Sequence, residues 1–159
     1  DVEKAILIEY DIPTRNKNWG NISNSLQFDV DKNDNIWFTE WTENKIAFLN
    51  SSKEIPFFIE SSTREIKIQP NSKSNFMLKV ETKGIRNIDF SASGTFSNNG
   101  KLQNITVEFD HDGKTISGEK YINVIIDTDK KLNKGEYTLM ISARNEPITI
   151  SIPIKLIVV

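Results

Sequence analysis

The chain has no cysteine, so it carries no disulfide framework, no thiol nucleophile and no cysteine-bound metal. It has a single histidine, His111, which excludes a two-histidine zinc site within one chain. Alanine occurs only at positions 5, 47, 92 and 143. No stretch long enough for a helix shows the 3.6-residue apolar period, so helices are not expected. Neither sign of charge dominates, since 20 Lys and Arg stand against 22 Asp and Glu. Without a basic run or excess, nothing draws the chain to nucleic acid or to an anionic membrane. The apolar residues at 148–159 are too few and too interrupted to cross a bilayer as a helix. A Gly-rich phosphate loop and a Ser-His-Asp set are also missing.

What is present is isoleucine, the commonest residue, together with abundant asparagine. β-Branched residues in two-residue alternation favour strands, and the chain is predicted to be all-β. Residues 4–10 predict a first strand ending near Pro13, and the polar loop Thr14 to Ser25 follows with Trp19 in its middle. Aromatic-rich runs near 26–30, 35–41 and 45–49 flank the turn Asp31-Lys-Asn-Asp-Asn35, whose Asn and Asp residues tolerate left-handed backbone. Residues 1–52 are therefore expected to form a four-stranded antiparallel meander. All three tryptophans lie within it. Residues 53–62, with the apolar Ile55-Pro-Phe-Phe-Ile59, are expected to be a packed connector.

From Thr63 onward the alternation is regular. Ile66 and Ile68, then Phe76 to Val80, Ile88 to Ala92, Ile105 to Phe109, Ile122 to Ile126, Tyr137 to Ala143 and Ile148 to Val158 mark seven strands. Turn residues separate them, including Asn98-Asn-Gly100, Asp112-Gly113 and Asn145-Glu-Pro147. Seven short alternating strands over 63–159 predict an immunoglobulin-like β-sandwich. Lys134-Gly-Glu-Tyr137 at the start of the sixth strand has the form of a tyrosine corner. Pro153 inside the seventh removes a ladder donor, so an edge or a bulge is expected there.

Several residues carry candidate chemistry. Asp29, Asp31, Asn33, Asn35 and Glu40 match positions 1, 3, 5, 7 and 12 of a calcium loop, but Asp34 stands where that loop needs glycine. A plain hairpin turn accounts for the same residues. His111 in Asp110-His-Asp-Gly-Lys114 could hold a metal, although Asp-Gly between strands is first a hairpin signal. Glu40 and Glu43 could be an acid–base pair, against a strand end and an exposed turn. Trp19 and Trp41 could form an aromatic platform for sugar, against packing between sheets. Asn21-Ile-Ser, Asn50-Ser-Ser and Asn104-Ile-Thr are glycosylation sequons, at the frequency this composition gives by chance. No catalytic, cofactor-binding or metal site is expected on balance.

Tyr10-Asp-Ile-Pro-Thr14, Leu26-Gln-Phe-Asp-Val-Asp31, Asn35-Ile-Trp-Phe-Thr-Glu40 and Asn44-Lys-Ile46 together resemble one repeat of the virginiamycin B lyase (streptogramin lyase) family. That resemblance implies a propeller blade, and therefore neighbouring blades, or another subunit, as partners of this sheet. Only one copy of Trp-Phe-Thr-Glu is found. Ala47 replaces the family's glycine after Asn-Lys-Ile, and Asp34 its turn glycine. The family's chemistry uses a histidine and a metal at the blade ends, and residues 1–50 contain no histidine. The expectation is thus a non-catalytic structural or binding module, the C-terminal end of a longer extracellular or cell-surface propeller protein. The alternative is the tail of a propeller lyase whose active site lies in upstream blades.

Overall fold

The structure, a computed structural model, describes residues 5–94, 103–111 and 115–159. It is all-β. Among the described residues there are twelve strands and two single-turn 3-10 segments, Lys17–Trp19 and Trp41–Glu43. The strands are β1 (Leu7–Tyr10), β2 (Ser25–Val30), β3 (Ile36–Glu40), β4 (Lys45–Leu49), β5 (Phe57–Ser61) and β6 (Glu65–Ile68). They continue with β7 (Lys73–Asn87), β8 (Asp89–Gly94), β9 (Ile105–Asp110), β10 (Thr115–Thr128), β11 (Gly135–Asn145) and β12 (Ile148–Val158).

The chain divides into two compact units. The larger unit takes β1 and everything from Pro56 onward. One of its sheets runs β5-β7-β10-β9, all antiparallel. The other runs β1-β12-β11-β8, and β6 joins the far half of β12 in parallel. Alternate residues of the long strands are sealed: Phe76, Leu78 and Val80 on β7, Ile122, Val124 and Ile126 on β10, and Ile150 to Leu156 at even positions on β12. Burying each such side chain is worth about 1.5–3 kcal/mol, so this β-sandwich-like core holds the stability of the unit. The smaller unit, Asp11–Ile55, contains the antiparallel sheet β2-β3-β4.

Two expectations change. The sequence pattern places residues 4–10 in the meander, but β1 pairs antiparallel with β12, Leu7 opposite Ser151 and Tyr10 opposite Ile148. The meander therefore has three strands, and residues 1–52 are not one unit. Its missing fourth strand has a physical reason: β12 extends beyond β6 by the half-strand 148–151, and β1 supplies partners for those backbone groups. Likewise residues 53–62 are not a connector, because Phe57–Ser61 is a strand paired to β7 with Phe57 and Ile59 buried. Asp11–Ile55 is thus an insertion between two strands of the larger unit.

Pro153 lies opposite Met140 in the pairing of β12 with β11. On the other side of β12 it falls between the end of the β1 pairing at Ser151 and the start of the β6 pairing at Lys155. The amides of Lys155 and Val159 point to that side, where Arg64 O and Ile68 O accept them. An odd-numbered residue at 153 would aim its N–H at the changeover between two partner strands, and proline has none to aim. The expected edge position is therefore a gap in an otherwise paired strand.

Candidate functional site

The smaller unit carries most of the residues singled out in the sequence. Its turn is built around the Asp31 carboxylate. Oδ1 accepts the backbone N–H of Asn33 (2.8 Å) and of Asn35 (3.0 Å), and Oδ2 accepts Asn35 Nδ2 (3.0 Å) and Trp37 Nε1 (3.0 Å). Asp34 sits in the left-handed region at φ 62°, and its N–H reaches Asp31 O. The Trp37 indole N–H, followed by the Asn35 side chain, lowers the Asp31 pKa to about 2. A carboxylate so occupied closes a turn and has little left for a cation. Glu40 lies at the far end of β3, roughly 13 Å along the strand from Ile36 at 3.3 Å per residue, and the calcium template is not assembled. Among the described residues no group of His, Asp and Glu is arranged to hold a metal.

Glu40 is buried, at 2 % exposure, and the Thr14 hydroxyl donates to its Oε2. Asn16 Nδ2 donates to Thr42 O (3.0 Å), and the Trp41 N–H reaches Asn24 O (2.9 Å). These bonds fasten the loop 14–25 onto the turn that joins β3 to β4. Asn44 ends that turn in the left-handed conformation, which asparagine tolerates. Glu40 therefore anchors a loop, and Glu43 lies on the turn that follows it. Trp19 and Trp41 meet edge to face, with centroids 5.7 Å apart and planes at 85°. Perpendicular rings do not make a flat sugar platform.

The register of the sheet sorts its remaining side chains onto two faces. On one, Val30, Ile36 and Leu49 form a cross-strand row, and Phe28, Phe38 and Ala47 form the next. On the other, Trp37 lies beside Phe48, stacked at 5.0 Å and 23°, with Ile46 next along β4. The first face is largely apolar, the second mixes Trp37, Phe48 and Ile46 with Asp29 and Thr39, and neither is closed: Phe28 is 75 % exposed, Ile46 74 % and Trp37 44 %. The Trp37–Phe48 pair was overlooked in the sequence. The signal was there, since Trp37 and Phe48 have the parity that a short turn at Trp41–Asn44 brings opposite each other.

In the larger unit, His111 Nδ1 lies 3.1 Å from Lys120 Nζ and its ring meets Phe90 edge-on at 5.7 Å. A lysine ammonium donating to Nδ1 occupies the lone pair a metal would need. Asp112, Gly113 and Lys114 of that motif, and the Asn98-Asn-Gly100 turn, lie outside the described residues. Tyr137 Oη donates to Asn133 O at 2.6 Å, forming the expected corner at the start of β11. Beside β5 and β7 a cleft of about 480 Å³ is lined by Ile6, Phe58, Ile59, Glu60, Arg64, Lys79 and Glu81. Lys79 is held there by Glu119 at 2.7 Å and Glu81 at 3.9 Å. The Glu119 carboxylate raises the Lys79 pKa, and its own is lowered in turn by Lys79 and then Tyr121. This is a balanced surface network with no nucleophile. The sequon asparagines Asn21, Asn50 and Asn104 are all exposed.

No protein-family model matches the chain, and no curated protein matches it. Among solved structures, it is similar to a family 123 glycoside hydrolase from Clostridium perfringens, solved in a study of glycolipid glycan hydrolysis. The identity is 11 %, the TM-score 0.46, and the match covers 65 % of this chain and 27 % of that one. A likeness of that size transfers no activity.

Proposed function

We propose that this chain is a non-catalytic structural and binding module, in which an immunoglobulin-like sandwich carries a propeller-blade-like sheet that docks against sheets of the same kind. The observation carrying this reading is the sheet β2-β3-β4 with large exposed apolar side chains on both faces, Phe28 on one and Trp37, Ile46 and Phe48 on the other. A sheet with one apolar face covers a core, whereas a sheet with two belongs in the middle of a stack. The repeat-like residues fit that role, since Thr14, Glu40 and Asn44 fasten the loop and turn while Phe28, Trp37 and Ile46 stay outward.

The sandwich reading rests on strand order. With β5 as A, β6 as A′ and β7 to β12 as B to G, the two sheets become A-B-E-D and A′-G-F-C, the constant-type immunoglobulin arrangement. The Tyr137 corner on strand F agrees with it. The proposal includes an extracellular or cell-surface setting, for which the exposed sequons are suited, and further blades or another subunit as the partner.

The test is footprinting of Trp37 by indole oxidation in the protein purified from its source and in the isolated chain. Docking predicts strong oxidation in the isolated chain and protection in the native protein, with more Trp-Phe-Thr-Glu-like repeats encoded upstream or in a co-purifying subunit. Equal oxidation in both would overturn the reading.

A further inference from the structure

The two edges of the small sheet differ. β2 is broken by a register shift between Ser25 and Phe28 and carries Asp29, features that discourage another strand from pairing. β4 pairs with β3 in unbroken register over Lys45–Leu49 and with no strand on its other side among the described residues. It contains no proline, no glycine and one charge, and an edge of that kind is a template for a further strand.

We propose that the partner of this edge is β4 of a second copy, paired antiparallel about a two-fold axis at Ala47. Set against its own reverse, β4 places apolar residues opposite apolar residues at its three central positions. A two-fold axis normal to the sheet must pair residues of like parity, and only the register centred on Ala47 pairs all five residues. In that register Ile46 lies opposite Phe48 of the second copy, an apolar pair formed twice beside the Trp37–Phe48 stacks. Lys45 lies opposite Leu49, so no two like charges meet. Ala47 meets Ala47, the smallest side chain of the strand at the closest point. The row Phe28-Phe38-Ala47 then continues across the axis as one apolar row of a six-stranded sheet. Edge pairing leaves the two faces available, so this inference does not depend on the stacking reading above.

Because the chain has no cysteine, single-cysteine variants give a direct test. Directly opposed residues of an antiparallel pair have Cα atoms about 4.5–5.5 Å apart, within disulfide reach. Ile46 and its own copy would be offset by two residues, roughly 8 Å apart and out of reach. Ala47→Cys should therefore form a covalent dimer under mild oxidation, and Ile46→Cys should do so about tenfold more slowly. Sedimentation of the unmodified chain should give a concentration-dependent mass approaching twice 18.2 kDa, and Ala47→Lys should return it to the single-chain value. Single-chain mass for the unmodified protein at every concentration, equal cross-linking of the two cysteine variants, or a dimer that survives Ala47→Lys would overturn the proposal. Because oxidation footprinting of Trp37 reads the faces and cross-linking at Ala47 reads the edge, the two readings fail separately.

Discussion

Asp31 shows how a single side chain can carry the form of a ligand and do the work of a turn. Its four donors, two from backbone and two from side chains, hold it ionised well below the ordinary carboxylate range. A pKa lowered on folding stabilises the folded form above the unfolded value of 3.8, and that stabilisation is lost as pH falls toward about 2. Trp37→Phe removes the indole N–H that does most to lower the Asp31 pKa, while keeping an aromatic ring beside Phe48. We expect its Asp31 carboxyl, followed by NMR, to titrate closer to 3.8, and its acid unfolding to begin at higher pH. Glu40→Ala removes the acceptor of the half-buried Thr14 hydroxyl, a loss of about 1 kcal/mol measurable by urea denaturation, whereas Glu40→Gln keeps an acceptor and should cost less. At this scale the sequence marks the residues correctly but not their direction. Asp29, Asp31 and Asn35 have the spacing of ligands, and only the folded turn shows that Trp37 and Asn35 donate to the Asp31 oxygens.

The strands themselves were largely legible, because two-residue alternation survives wherever one face is buried. All seven alternating sets from Ile66 to Val158 became strands. The misplaced one, β1, is a run of four residues with little buried surface, and nothing local distinguishes pairing with β2 from pairing with β12. Its partner is fixed by an opening left more than a hundred residues away. The irregularities are more instructive than the ladders. Where β10 pairs with β7 the register shifts between Ser117 and Gly118, setting Lys83 and Gly84 outside the ladder. The buried Thr82 hydroxyl lies 3.0 Å from Gly84 O, 3.3 Å from Gly118 O and 3.4 Å from Ile116 O, and it pins both sides of the bulge. Thr82→Val keeps the shape and removes the donor, and should cost roughly 1–3 kcal/mol in chemical denaturation. Gly118 has open space around it and φ 72°, so Gly118→Ala should lose about 1–2 kcal/mol to backbone strain alone.

At the scale of the whole molecule, burial is divided very unevenly. Every buried apolar side chain belongs to the larger unit, while Glu40 is the one buried residue in the smaller unit among those described. Stability follows buried apolar area, so the two units should melt in separate transitions, the smaller first. The distribution of chromophores makes this easy to observe, because Trp19, Trp37 and Trp41 all lie in the smaller unit. Tryptophan fluorescence should report a transition at lower temperature than the loss of most of the strand signal in circular dichroism. Coincident transitions by both probes would show that the small sheet draws its stability from elsewhere. The pairing of β1 with β12 has a mechanical meaning as well. Leu7 pairs with Ser151, and from there β12 runs on to Val158, held by β11 on one side and by β6 on the other. A pull at Leu7 away from β12 therefore opens this pair as a zipper, its bonds giving way one after another from Leu7 to Tyr10. Once Tyr10 releases Ile148, the load passes into the inserted residues 11–55, whose sheet β2-β3-β4 stands in line along the chain with the β5–β7 ladder and, having little buried apolar surface, should open first. The chain is built to yield early at its first strand and to resist late at its core.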